Sequence, residues 1–559
     1  MEIFTSGPSD FYLSIYHIAQ EAREKGLVFY GAGFWGDLSA QIFSLLGVEP
    51  SCFCDDDPEK IGCFYNNRIP ILSFEESKRR YSNAVWIATV NSDTVDAPRK
   101  RLNNKLRENG LLSASSGFHP VRYLYLLEEP GILEAITAEP DEPPDCFHAR
   151  ALRRMVVFNH MSNSGSVYFD NLVDGHPDLL NIVLLGHYIP LQEVYQKRFQ
   201  FLEDEPLVAE VASQMSPFLK TRFPAKLYEK MFFRAAEEYL VNDSGEPENR
   251  MYLPVKAFVR HLSAELMGKG RISYAYLLKA IFAAYYNTLG RKYDASRSYW
   301  IFYQRHKENY DMQEIAGLLS PDDFDAVKYL FIVREPIQHF FSWMNRFVLR
   351  GSHDSKLFFG RANSYLNRLR CGAGLMLQNK TGVSNDDVRV VRFEDVKQKH
   401  RELMEAFCRW LGIEYDSILE ETTVNGIQIY FPVAGKAGAV ITGNDQSAVN
   451  KKDYSELLSE FDIVRLKIVF QQFSHAYRYA CDVPDFRLFA RPFREELFDY
   501  PFRFEQTLDE ACAMTYAEEG AARGGEPCCG RLIRQLFSEY MDGYEDVEYY
   551  PMLVPEDVK

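Results

Sequence analysis

Apolar residues along this chain fall into short solid blocks separated by stretches of helical periodicity. The block in "GLVFYGAG" reads as a strand buried on both faces. After it, Trp35, Leu38, Ile42 and Leu45 recur on one face of a helix that Gly47 stops. "SCFCDDD" and "AVWIATV" read as a second and a third strand. Strand and helix alternating in this order predict a parallel, doubly wound sheet. The same grammar returns at "MVVF", a strand that runs through Ser164-Gly165-Ser166 into a helix. Phe169, Leu172 and Val173 give that helix its face, and Gly175 with Pro177 ends it. A mostly helical, aromatic-rich stretch covers about 190–320. The strand "YLFIV" follows, then a helix from Pro336 packed through Ile337, Phe340, Phe341 and Met344, the strand "VRVVRF" and closing helices.

The fold class expected is therefore α/β in two domains. Residues 1–136 form an N-terminal Rossmann-like parallel sheet, and 137–150, proline-rich and acidic, form a linker. A second α/β domain spans 151–490, with its helical insertion at about 190–320. Residues 491–559 are a C-terminal extension whose last nineteen residues hold six acidic side chains and one lysine.

Composition narrows the function. A length of 559 residues needs more than one core, and a net charge of −16 argues against general nucleic-acid binding. The N-terminus lacks the basic and apolar regions of a signal peptide, and no apolar run reaches the about 18 residues of a membrane span. Ten cysteines at irregular spacing suggest neither a structural metal nor a disulfide scaffold. A cytoplasmic protein with reduced thiols and no metal is expected.

Three motifs carry candidate chemistry. Gly31, Gly33 and Gly36 stand in GxGxxG register between a strand and a helix, and Asp55 follows Gly36 by nineteen residues, where an acid can bond a ribose. The run "FCDDDPEKIGCFYNNRIPIL" resembles Rossmann-like modules attached to sugar-modifying enzymes. That leaves bound NAD, another nucleotide and a purely structural module all open. The second motif is the turn at Ser164-Gly165-Ser166, where a helix start offers amides, hydroxyls and the positive end of its dipole to an anion. No lysine follows Gly165, which argues against a Walker loop and a kinase-like phosphoryl transferase. Third, Arg334 projects from the carboxyl end of a buried strand, with Ser342 eight residues on and off the packing face of the next helix. A guanidinium and a hydroxyl at such a place make a second phosphate clamp.

In this order the last two motifs resemble those of sulfotransferases that use 3′-phosphoadenosine 5′-phosphosulfate. Arg334, Pro336 and Ser342 match the segment that holds the 3′-phosphate, and Ser164, Gly165 and Ser166 match the loop that holds the phosphosulfate. "VRFEDVKQKHRELMEAFCRWLGI" resembles a third family segment, with Phe393 where a tyrosine commonly lies near the adenine. Asn163 stands where the family has a basic residue, and Val167 replaces a threonine. Arg153, Arg154 or a lysine of the insertion are candidates for the missing charge, and Lys436, Lys451 and Lys452 for further 3′-phosphate donors. His187 stands where relatives place a catalytic glutamate; a histidine suits a general base, as it also suits a structural role. His160 ranks lower as a base, and His176 reads as structural. The resemblance implies a sulfotransferase acting on a hydroxyl of a glycan or another small acceptor. A nucleotide-binding regulator that has lost transfer activity is the alternative. The acceptor and the oligomeric state are not legible.

Overall fold

A computed structural model describes residues 15–89, 97–111, 135, 145–160, 164–219, 253–305, 312–319, 321–344, 383–428, 431–432, 440–441, 457–485, 496–505 and 549–554. The chain divides into two units, Met1–Arg153 with Ile189–Arg297, and Arg154–Tyr188 with Ser298–Lys559.

The first unit opens with α1 (Ile15–Lys25), β1 (Leu27–Tyr30), α2 (Phe34–Leu45) and β2 (Cys52–Cys54). The short strand β3 (Phe64–Tyr65) then precedes β4 (Ile69–Leu72), α3 (Phe74–Arg80), β5 (Val85–Ala88) and α4 (Ala97–Glu108). Strand order is β3-β4-β2-β1-β5. All pairs are parallel except β3 with β4. From β1 the chain steps outward to β2 and β4, then crosses back to lay β5 on β1's other side. Helices cover both faces, so β1 is buried throughout. Phe29 meets Phe43 of α2 at 5.6 Å between ring centroids, and Tyr30 stacks on Phe74 of α3, also at 5.6 Å. Leu45 lies 53% exposed, whereas Leu46, just past the helix, is buried. The final turn thus shifts the apolar contact by one residue from the helical register.

Cys52 and Cys54 face α3 across this core, and burial pushes both thiols up to about 12. Cys63 is exposed. Because the thiolate is the reacting form, iodoacetamide at about pH 8 should label Cys63 and spare Cys52 and Cys54 in the native chain. Mass mapping reads this directly; native-rate labelling of Cys52 would mean that the sheet opens.

The second unit begins with β6 (Arg154–His160), α5 (Ser166–Val173), β7 (Leu179–Asn181) and α6 (Leu185–Tyr188). The next helices, α7 (Leu191–Lys197), α8 (Asp204–Leu219), α9 (Val255–Leu266) and α10 (Tyr274–Thr288), belong to the first unit, where α9 packs between α8 and α10. There Phe147 and Asn287 of α10 exchange hydrogen bonds of 2.7 and 2.9 Å, which anchors the end of the proline-rich acidic stretch. The second unit resumes with β8 (Trp300–Arg305), α11 (Met312–Leu318), β9 (Ala326–Val333) and α12 (Pro336–Met344). It continues through β10 (Val388–Arg392), α13 (Phe393–Gln398) and α14 (His400–Leu411). A strand, β8, thus stands inside the stretch whose pattern reads as helical.

Its sheet is entirely parallel, in the order β10-β9-β6-β8-β7. The first strand, β6, is central; the chain leaves it toward β7 and β8, then crosses to β9 and β10 on the opposite side. Chain direction therefore reverses between β6 and β9, and open α/β sheets bind ligands at the carboxyl ends of strands at such a crossing. One face of the sheet, through Val156, Phe158, Phe302, Leu330 and Val391, packs on Phe169 and Leu172 of α5 and on Met404 and Phe407 of α14. Residues 549–554 run beside β10: Val390 donates to the Pro551 carbonyl and Leu553 donates to that of Val390, both at 2.9 Å. Among the described residues no helix is long and apolar enough to cross a membrane.

Candidate functional site

Register places the key side chains. Val333 of β9 pairs with Arg392 of β10 at the last rung, so the next residues, Arg334 and Phe393, leave the sheet side by side. The Arg334 guanidinium carbon stands 5.4 Å from the centroid of the Phe393 ring. Arg334 Nη1 donates to Ser342 Oγ of α12 at 3.4 Å. Burial pushes the Arg334 pKa down from the ordinary guanidinium value, against the opposing pull of Glu394 and Glu335. Both carboxylates have duties of their own. Glu335 accepts from the Ile337 and Gln338 amides at the start of α12. Glu394 accepts from the Glu335 amide at 3.0 Å and from the Tyr479 hydroxyl at 2.9 Å.

The turn after β6 completes the group. Gly165 sits at φ +92°, the left-handed region that glycine tolerates, and a Cβ there would lie 2.0 Å from Cδ2 of Phe393. Phe393 therefore lies directly on the N-cap residue of α5, and both Ser164 and Ser166 are buried. Val167 is 37% exposed. Asn163 lies outside the described residues, as do Lys436, Lys451 and Lys452. Arg154 begins β6, with its guanidinium 5.7 Å from the Trp300 ring. It stands at the far end of a seven-residue strand, about 20 Å from the turn, so it does not supply charge there.

Two side chains not singled out from the sequence join the cluster. Tyr168 meets Phe393 edge-on at 6.2 Å, and the Lys397 ammonium stands 3.2 Å from the Tyr168 ring centroid. Lys397 follows Phe393 by four residues, the spacing that puts two side chains on one helix face, and this is the signal that could have found it.

His187 lies on α6, whose backbone is fixed in three ways; the ring itself is outside the described side chains. Leu184 enters the helix at φ +63° and donates its amide to Asp170 Oδ2 at 2.7 Å. Asn181 Nδ2 bonds the Asp170 carboxylate at 3.1 Å and its carbonyl at 2.8 Å. Gly186 lies against β8 so closely that a Cβ would fall 1.6 Å from the Gln304 carbonyl oxygen. Among the other histidines, His160 ends β6, buried beside Phe158. His176 bonds the Glu414 carbonyl and the Asp178 amide, a structural role.

Burial pushes the Asp170 carboxyl up to about 7; the bonds from Leu184 and Asn181 oppose this, and Asp174 adds to it. A folded pKa above the unfolded value of about 3.9 means that the folded chain holds the proton more tightly. The stability this contributes is complete below about pH 4 and is lost as pH rises through about 7. Asp170→Asn should therefore flatten the decline of Tm with pH across that window. Equal slopes in the two proteins would assign the titration elsewhere.

The glycine turn of the first unit is built differently. Gly31, at φ +120°, and Gly36 serve close backbone approach: a Cβ on Gly36 would fall 2.2 Å from the Gly31 carbonyl oxygen. Gly33 is open. Asp55 turns back onto the turn, where Oδ2 accepts the Ala32 amide at 2.7 Å and Oδ1 the Asp57 amide at 3.0 Å. Burial raises its pKa, but these amides and Lys60 outweigh burial and leave it below the usual carboxylate value. A carboxylate thus occupies the Ala32 amide, one residue before the N-cap Gly33 of α2, which carries no side-chain cap.

Among the described residues no His, Cys, Asp and Glu cluster is suited to a metal ion. No protein-family model matches the chain, and the search of curated proteins finds no match. Among solved structures, the chain is similar to a sulfotransferase domain of the Synechococcus PCC 7002 olefin synthase, at 17% identity over 51% of this chain and 81% of that one, TM-score 0.25. A sulfotransferase domain from the curacin biosynthetic pathway shows 12% identity over 50% and 84%, TM-score 0.26. A sulfotransferase from Mycobacterium avium shows 11% identity over 73% and 85%, TM-score 0.25. Likenesses so distant leave the strand order and the side-chain geometry as the ground for any functional reading.

Proposed function

We propose that the second unit is a sulfotransferase that passes a sulfuryl group from 3′-phosphoadenosine 5′-phosphosulfate to a hydroxyl of a carbohydrate or another small acceptor. The observation that carries this reading is the meeting of two anion-binding devices at one strand crossing. Arg334 with Ser342 follows β9, the start of α5 follows β6, and the Phe393 ring spans from one to the other. A ligand with an anionic group at each end and a ring system matches that arrangement. The resemblance of the segments around these residues selects the donor.

In this reading Arg334 and Ser342 hold the 3′-phosphate, and the amides and hydroxyls of Ser164–Ser166 hold the phosphosulfate. The acceptor oxygen attacks sulfur in line. Its new bond to sulfur forms as the bond from sulfur to the 5′-phosphate oxygen breaks, and the electron pair departs with adenosine 3′,5′-bisphosphate. His187 takes the acceptor's proton. Donors at the start of α5 stabilise the charge that develops on the leaving phosphate. The first unit, whose Asp55 bonds back onto its own glycine turn, serves as a structural or regulatory module in this reading.

Asn163, standing where a basic residue is expected, favours a second reading, a nucleotide-binding regulator without transfer activity. Calorimetry with adenosine 3′,5′-bisphosphate, followed by turnover of labelled donor over a glycan panel, separates them. Binding with turnover supports the transferase and binding alone the regulator. No binding overturns both.

A further inference from the structure

We infer that Lys397, on α13, supplies positive charge beside the α5 turn and holds the 5′ anionic end of the bound nucleotide. This rests on the donor reading above.

A cation, two rings and a second cation lie in one row across the first turn of α5. The Arg334 guanidinium faces Phe393 at 5.4 Å, Phe393 meets Tyr168 at 6.2 Å, and Lys397 stands 3.2 Å from the Tyr168 ring. Phe393 touches Gly165, and Tyr168 follows that glycine by three residues, so the Lys397 ammonium is packed on the first helical turn of α5. Local geometry makes this reach possible. Phe393 and Lys397 share a face of α13, and Val396, between them, anchors the helix in the core with Phe169 of α5. Once Phe393 is seated on Gly165, Lys397 is brought to α5 by the same helix.

Lys397 is only 5% exposed, and a charge so placed is screened by water far less than one on a surface loop. A cation need not come from the loop itself to stabilise charge on the leaving phosphate; it needs only to be fixed near it in a dry site. The two cations are thereby divided between the ends of the ligand: Arg334 with Ser342 reads the 3′ end, and Lys397 reads the 5′ end.

The test compares adenosine 3′,5′-bisphosphate with adenosine 3′-monophosphate by calorimetry on the full chain. Lys397→Met should weaken the bisphosphate about tenfold and leave the 3′-monophosphate within about twofold, because only the former presents a 5′-phosphate. Lys397→Arg should recover most of the loss. Unchanged 3′-monophosphate binding also shows that the variant is folded. Equal weakening of both ligands, or of neither, overturns the assignment of Lys397 while the donor reading stands. Failure of the unsubstituted protein to bind the bisphosphate overturns the donor reading, and this inference with it.

Discussion

Arg334→Ala is expected to weaken adenosine 3′,5′-bisphosphate by about a hundredfold or more, and 3′-monophosphate by the same factor. A guanidinium makes charge-assisted bonds of about 1.5–3 kcal/mol each, and a phosphate on its fork takes two. Partial burial, which already lowers the pKa of Arg334, makes those bonds stronger than at an open surface. Ser342→Ala should cost about tenfold, the worth of one neutral bond and of a guanidinium no longer steadied at 3.4 Å. Neither change should unfold the chain, because Glu335 and Glu394 bond to amides and to Tyr479 and do not depend on the arginine for partners. Calorimetry checks both variants. Wild-type affinity in Arg334→Ala would remove the 3′-phosphate assignment.

Gly186→Ala should lower turnover about a hundredfold and spare binding at the 3′ end of the nucleotide. The added Cβ meets a backbone carbonyl, not a movable side chain, at 1.6 Å, so α6 must lift from β8. Overpacking of this kind costs about 1–3 kcal/mol, visible as a lower Tm. Its functional effect should be larger, because a base displaced by about 1 Å loses about a hundredfold in rate. The Arg334–Ser342 end of the proposed clamp lies on β9 and α12, on the far side of β6 from that contact, so affinity for adenosine 3′-monophosphate should stay within about threefold. His187→Ala should match the loss of turnover without the loss of Tm. Normal turnover in a folded Gly186→Ala protein would show that α6 does not carry the base.

Much of this arrangement is legible before any coordinates. Solid apolar blocks marked β1, β2 and β5 of one sheet and β6, β9 and β10 of the other, while β3, β4 and β7 did not stand out, and the glycine and serine turns fell where strands pass into helices. Arg334 and Ser342 were readable because a strand end and a helical period fix their relation. Strand β8 was not readable. "YWIFYQR" is buried on both faces and lacks alternation, so inside an aromatic-rich stretch it carries no strand period. Lys397 and Tyr168 lie on helices separated by more than two hundred residues, and only the pairing of β6 with β9 and of β9 with β10 brings them together. Asp55 marks another limit. Spacing puts an acid at the right strand end but cannot tell whether it faces a ribose or, as here, the glycine turn itself.

The strap formed by residues 549–554 bears on how the protein is made. Val390, whose amide and carbonyl it engages, precedes it by about 160 residues. On a ribosome adding about 5–20 residues per second, the outer side of β10 stays unclaimed for many seconds after the rest of that sheet has emerged. An unpaired parallel edge is a template for other nascent chains. The interval before the strap arrives is therefore a hazard of synthesis, one that occupancy by a chaperone would relieve and that premature termination upstream of Tyr549 would make permanent.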